Sequence, residues 1–203
     1  MDKRQLDAKE RILTAARKLF AEQGYEGTTV RDICEEAGVN VSLVSYHFGG
    51  KEKVLYALFE SYFCLRINER EQGDEWKDPV AGLAYMIREI VSFRANNPEL
   101  VKILHQEIEL ETPRSAELRR FVLPIWTKLR ELLDRGRQQG LFHFPSLDAA
   151  MLFVMGCLLF PKPNSFVAPL LTEGQLLSHQ WAEYTLRFVL GGLGCHQQEK
   201  FIL

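Results

Sequence analysis

Residues 28–53, TTVRDICEEAGVNVSLVSYHFGGKEK, restrict what this chain can fold into more than any other stretch. Thr29 stands before an apolar-periodic run, and Asp32 follows three residues later. That is the pattern of a capping box, in which the hydroxyl accepts from one orphan amide and the carboxylate reaches back to the cap. Val30, Ile33 and Ala37 recur at three- and four-residue spacing, which is one face of a short helix. Gly38 stands where a left-handed residue lets a helix end. Asn40 can cap a second helix over 41–48, with Val41, Val44 and Phe48 facing inward. Gly49-Gly50 break that helix and Lys51 opens the next. Two short helices around a Gly-containing turn are the arrangement that lays the second helix in the major groove of DNA.

Charge gives no such signal. The 203-residue chain is 46% hydrophobic and 26% charged, with net charge -2. That is an ordinary globular composition, with room for a small domain and a larger one. The first 53 residues hold nine Lys/Arg and nine Asp/Glu, so this segment is neutral. DNA binding would then rest on placement: Lys3, Arg4, Arg31 and Lys51 near one surface, and helix N-termini that favour phosphate. The four cysteines, at 34, 64, 157 and 195, include no CxxC pair. They predict thiols, with Cys34 and Cys157 buried, and argue against a disulfide scaffold or a zinc site. The longest apolar stretch, 149–160, is too short to cross a bilayer and carries Gly156. The N-terminus lacks the apolar core of a secretion signal, so the expectation is a cytoplasmic protein that does not meet a membrane.

Periodicity along the chain predicts helices throughout. The first runs over 6–23, with Ile12, Ala15, Ala16, Leu19 and Phe20 as its buried stripe. A fourth starts at Lys51 and continues past Tyr62 toward Arg70, ending at Gln72-Gly73-Asp74. Pro79 suits the first turn of a fifth, over 79–96. Asn97-Pro98 stops the chain and restarts it over 99–109. A seventh spans 115–139, where Pro124 should kink or split it. Ser146 caps an eighth that runs to about 160, before Pro161-Lys162-Pro163. Thr172 caps a ninth over 172–190, and the tail from Gly191 is expected to fray.

The segment from Phe20 to Glu52 resembles the DNA-binding domain of the TetR family of bacterial transcriptional regulators. The residues that carry the resemblance are Phe20, Gly24-Tyr25, Thr28 to Ile33, Ala37-Gly38-Val39, Tyr46-His47-Phe48 and Lys51-Glu52. Val41 and Ser45 depart from the commonest family pattern, in which Lys and Tyr are frequent at these places. GRQQGLF, at 136–142, is more loosely similar to the family's C-terminal domain. The resemblance implies an all-α protein of two domains. Residues 1–52 would be a three-helix DNA-binding domain with its helix-turn-helix. Residues 53–203 would be a larger helical domain for regulation and dimerisation, its last two long helices forming the dimer interface.

Site residues follow from these positions. Arg31, on the first turn of the second helix, has a guanidinium fork that suits guanine O6 and N7; the alternative is a solvated surface arginine. Ser42 and Ser45 are candidates for base edges and Val41 for a thymine methyl, the alternative being that specificity lies in Arg31 and DNA shape. Thr29, Asn40, Tyr46, His47 and Lys51 match family positions that contact phosphate. Tyr46 has a second reading as a half-buried core aromatic, and His47 as a helix cap. Met86, Phe93, Leu104, His105, Trp126, Met151 and Met155 are candidates for lining a pocket for a small apolar ligand, against core packing as the plainer account. His105 and Glu109 are four apart, but two ligands do not make a metal site. No catalytic motif occurs, and neither an enzyme activity nor a cofactor is expected. The expected partners are a pseudo-palindromic DNA duplex, a second copy of the chain and a small ligand, with repression released by that ligand. One alternative is a DNA-bound scaffold acting through a protein partner. It rests on LLFPKPNSFVAPLL, which looks like a TetR-type protein of endospore formers that links chromosome position to cell division.

Overall fold

The computed structural model describes residues 7–63, 76–160, 168–170, 172 and 178–196, and those residues are helical apart from turns and connectors. In chain order the helices are α1 (Ala8–Gly27), α2 (Val30–Ala37), α3 (Val41–His47), α4 (Lys51–Tyr62), α5 (Pro79–Asn96), α6 (Pro98–Glu109), α7 (Ser115–Gln138), α8 (Leu147–Leu159) and α9 (Ser178–Gly192), with a 3-10 turn at Ala168–Leu170 before α9. They form two compact units. One comprises residues 1–64 and 97–123, the other residues 65–96 and 124–203.

The first unit is organised around α1. Its predicted stripe of Ile12, Ala15, Ala16, Leu19 and Phe20 is buried, together with Ile33, Val44, Leu55, Leu58 and Phe59 from the next three helices. Leu100, Ile103 and Leu104 of α6 and Leu118 of α7 belong to the same core. The α1 helix outlasts its predicted end at Gln23. Gly24 departs from helical geometry at φ 77°, and the chain then makes one more turn to Gly27. The α4 helix ends at Tyr62 because Phe63 leaves helical geometry. The predicted continuation toward Arg70 and the break at Gln72-Gly73-Asp74 otherwise lie outside the described residues.

In the second unit, α5 packs on α9 and α8. Leu83, Ile87, Leu129, Leu132, Leu133, Leu158, Leu186 and Leu190 are buried there. Pro124 does not split α7, which passes through it as one helix. Ser146 caps α8 as predicted, its Oγ accepting from the Ala149 amide at 3.2 Å. GRQQGLF has a steric logic. A Cβ on Gly136 would meet the Phe142 ring at 2.1 Å, so only glycine lets that ring, 1% exposed, close onto the helix. Gly140 supplies the left-handed residue (φ 68°) that turns the chain between them. The tail does not fray at once. Leu193 and Cys195 are buried, and the His143 amide donates to the Leu193 carbonyl at 2.7 Å. These bonds hold the chain to His196, which periodicity alone had not foreseen. The start predicted for the last helix, together with Pro161-Lys162-Pro163, falls largely outside the described residues; so does Cys64. Cys34 is buried as expected, whereas Cys157 is only half-buried.

Candidate nucleic-acid interface

Short-range bonds build the helix-turn-helix. The Asp32 amide donates to Thr29 Oγ1 at 3.2 Å, and the Thr29 amide donates to Asp32 Oδ2 at 2.7 Å, which completes the predicted capping box. Hydrogen bonding from Thr29, its backbone amide first and its side chain second, holds the Asp32 carboxyl below its usual range. Gly38 ends α2 in the left-handed region at φ 64°. Asn40 Oδ1 accepts from the Ser42 amide at 2.9 Å and from the Ser42 hydroxyl at 3.0 Å, so this cap orders both the helix start and one candidate base-reading side chain.

Two cations hold this frame from a distance. Arg11 of α1 donates from Nη1 to the carbonyls of Ala37 and Gly38, at 3.2 and 3.3 Å. It thereby satisfies orphan carbonyls at the α2 C-terminus, where the helix dipole favours positive charge. Lys51, at the start of α4, donates from Nζ to the carbonyls of Tyr25 and Thr28, both at 2.9 Å. Its ammonium lies 4.0 Å from the centre of the Tyr25 ring, and the Arg114 guanidinium lies 3.7 Å from that centre. Arg114 is anchored by Glu107, only 4% exposed, which accepts from its Nε at 2.9 Å and from the Thr112 hydroxyl. Tyr25 is thus clasped between two cations, one of them locked by a buried carboxylate. Nothing in the local sequence pointed to Arg11, Glu107 or Arg114, whose partners lie five to 89 residues away.

The predicted contact residues come together on the outer side of this frame. Thr29, Arg31, Asn40, Val41, Ser42, Ser45, Tyr46 and His47 are all exposed, whereas Val44 is fully buried. Val41 corrects the inward placement expected for it: it is 45% exposed, because Val44 alone anchors α3 while Leu43 and Phe48 pack only partly. Tyr46 is 81% exposed and so is no core aromatic; its ring meets His47 edge-on at 5.0 Å. Arg31 projects from the first turn of α2 with its side chain in solvent. Lys51 differs from the others in being half-buried, with two of its three donors spent inside the chain. Lys3 and Arg4 lie outside the described residues. The surface displays small polar, aromatic and guanidinium groups at the width of a helix-turn-helix, and these can meet base edges and phosphates together.

The seven candidates for a ligand pocket do not share one unit. Leu104 and His105 fall in the first, and Met86, Phe93, Trp126, Met151 and Met155 in the second. Met86 and Leu104 are buried in the core, and the others are half-buried. A groove of about 950 Å³ runs along α8 and α9 instead. Phe153, Phe160, Tyr184 and Phe188 line it, and none of the seven does.

Comparison with known proteins matches this geometry. Residues 12–58 match the model of bacterial regulatory proteins of the tetR family, and residues 79–190 match the tetracyclin repressor-like C-terminal domain. The chain belongs to the TetR family. It is a DNA-binding transcriptional regulator. Among TetR-family relatives, the HTH-type transcriptional repressor NicS of Pseudomonas putida is 27% identical over 195 residues, covering 91% of this chain and 92% of NicS. The solved structure of HlyIIR, a hemolysin II transcriptional regulator, is 29% identical with a TM-score of 0.72, covering 95% of this chain and 98% of that one. AibR, solved with isovaleryl coenzyme A and operator DNA, shares the TetR fold at 22% identity and a TM-score of 0.66, covering 90% and 97%. These relatives give the chromosome-scaffold reading no support, and the segment that suggested it lies mostly outside the described residues. Among the described residues no helix is long and apolar enough to cross a membrane.

Proposed function

We propose that the chain is a repressor that binds a pseudo-palindromic operator as a homodimer and leaves it when a small molecule binds. The observation that carries the DNA-reading part is the outer face of α2 and α3. Arg31, Ser42, Ser45 and Tyr46 are exposed there, on a frame fixed by the Thr29 and Asn40 caps and by Arg11. Arg31 takes the role of base reader, with Ser42, Ser45 and Val41 beside it. Thr29, Asn40, Tyr46 and His47 hold the phosphates, and Lys51 chiefly positions the α2 start. The reading head occupies residues 1–52 and the remainder regulates and dimerises.

The apolar groove on α8 and α9 supports pairing. Leu152, Phe153 and Phe188 are each at least two-thirds exposed on it, which is more apolar surface than a monomer ordinarily leaves in water. A second copy of the same face covers it in a two-fold arrangement. Two reading heads then address half-sites one duplex turn apart. That a regulator of this fold can bind a small molecule is exemplified by AibR, solved with isovaleryl coenzyme A and operator DNA; release of DNA by the ligand is this proposal's own step. The ligand would favour a dimer with its heads at the wrong spacing, shifting the population off DNA. Genome-wide mapping of bound DNA, followed by promoter fusions in a strain lacking the protein, tests this. Bound promoters whose output rises in that strain are expected; unchanged output would reject repression.

A further inference from the structure

The start of α1 lies against the end of α3. Lys9, in the first turn of α1, has its Nζ 6.0 Å from the centre of the Phe48 ring, at the outer reach of a cation–π contact. The Phe48 ring meets His47 at 6.2 Å, and His47 meets Tyr46 at 5.0 Å. Lys9, Phe48, His47 and Tyr46 thus form one row, exposed except for the half-buried Phe48. One end of the row is the pair of side chains already assigned to phosphate, and Lys9 is the cation at the other. The remaining charges of this unit leave that role to it. Seven Lys and Arg fall within residues 7–63. Four are spent inside the chain: Arg11 and Lys51 on backbone carbonyls, Arg17 on Glu99 and Lys18 on Glu36. Lys9, Arg31 and Lys53 make no side-chain hydrogen bond or ion pair among the described residues. Arg31 is the proposed base reader, and Lys53 stands over the Tyr56 ring of its own helix, 5.7 Å from its centre. Asp7, two residues before Lys9, turns its carboxylate onto the Lys9 amide at 2.8 Å, where it caps the helix. In a segment of balanced charge, an exposed and unpaired ammonium beside α3 is what a phosphate contact requires.

We propose that Lys9 grips a DNA phosphate beyond His47, carrying the backbone contact of α3 onto the start of α1. The inference rests on the reading above that the outer face of α3 meets DNA, and it adds a contact from outside the helix-turn-helix. The probes are a duplex selected from random sequence by the full-length wild-type protein and a second, unrelated duplex. Affinity for each is followed by fluorescence anisotropy over a range of sodium chloride concentrations. Lys9→Gln should weaken both duplexes by the same factor and make the salt slope shallower by about 0.9 for each bound chain. Lys9→Arg should keep the slope. Lys18→Gln, which removes the same charge, is the control for long-range attraction. Nine residues make about two and a half helical turns, which puts Lys18 on the far side of α1 from Lys9, so its loss should leave the slope as it is. Three results would each overturn the proposal: an unchanged slope in Lys9→Gln, a loss confined to the selected duplex, or equal flattening by Lys18→Gln. Tyr46→Ala in the same assay separates this inference from the reading it rests on. Weakened binding by Tyr46→Ala beside an unchanged slope in Lys9→Gln rejects Lys9 alone, and undiminished binding by both variants rejects the α3 face as well.

Discussion

At the scale of single residues, Arg31 and Lys51 separate two ways of touching DNA. Arg31 stands in solvent on the first turn of α2. A bidentate arginine–guanine contact supplies about 1–3 kcal/mol of discrimination. Arg31→Ala should therefore relax preference at one symmetric base pair per half-site and spare the rest, in a binding scan over single-base operator variants. Uniform loss across that scan would make Arg31 a phosphate contact. Lys51 holds the carbonyls of Tyr25 and Thr28, immediately before the Thr29 cap. Lys51→Met should lower stability by about 1.5–3 kcal/mol, the range of hydrogen bonds to charged groups, and weaken every duplex alike. An unchanged melting temperature would show that its ammonium does not hold the frame. Only part of this was legible in the sequence. Caps and turn residues act over two or three positions, so Thr29, Gly38 and Asn40 could be read directly. The bonds of Arg11 and Lys51 span more than twenty residues, and no local pattern records them. Val41 was misplaced because a seven-residue helix has too few positions for periodicity to fix which side faces inward.

At the scale of elements, two joints invite measurement. The Glu107–Arg114 pair ties the turn between α6 and α7 to Tyr25. Arg114→Met alone leaves Glu107 buried without its cation and should cost about 3–5 kcal/mol, whereas Glu107→Leu with Arg114→Met should recover much of that loss. Chemical denaturation of the two variants and the wild type gives the answer, and equal losses would reject a desolvated charge as the cause. The capping box of α2 adds a pH dependence. The Asp32 carboxyl is held below its unfolded range, so the box is at full strength above that range and weakens as pH falls through it. The second joint is Gly136. Gly136→Ala should destabilise by about 1–3 kcal/mol through overpacking against Phe142, and Phe142→Leu in the same chain should relieve part of it. Among the described residues helix existence was legible nearly everywhere, since most helices announce themselves by a cap, a proline or a glycine. The tail was not, because its order comes from His143 and Leu193, fifty residues apart.

At the scale of the whole molecule, the proposed pairing rests on the α8–α9 face. The last two long helices, expected from the family resemblance to form the dimer interface, carry Met151, Leu152, Met155, Leu158, Leu159, Trp181, Leu186, Phe188 and Val189. Leu158, Leu186 and Val189 are instead core residues of the unit, while Leu152 and Phe188 remain outward with Phe153, Phe160 and Tyr184. Apolar content alone cannot tell a stripe that packs inward from one that waits for a partner, since both have the same chemistry. Phe153→Glu with Phe188→Glu should give a folded monomer by sedimentation, with helical content kept and operator binding lost. A variant that stays dimeric would move the interface elsewhere.

Pairing through the outward phenylalanines, as proposed, would also set how the protein responds to its own abundance. A surface that closes only by pairing makes the active species grow with the square of chain concentration while copies are few. A cell that halves synthesis then loses more than half of its occupied operators, and a promoter under such control switches over a narrower range of dosage than one read by a monomer. On the proposed pairing, a chain that has not yet paired would offer proteases and chaperones a row of bare aromatic rings, and unpaired copies would be cleared first.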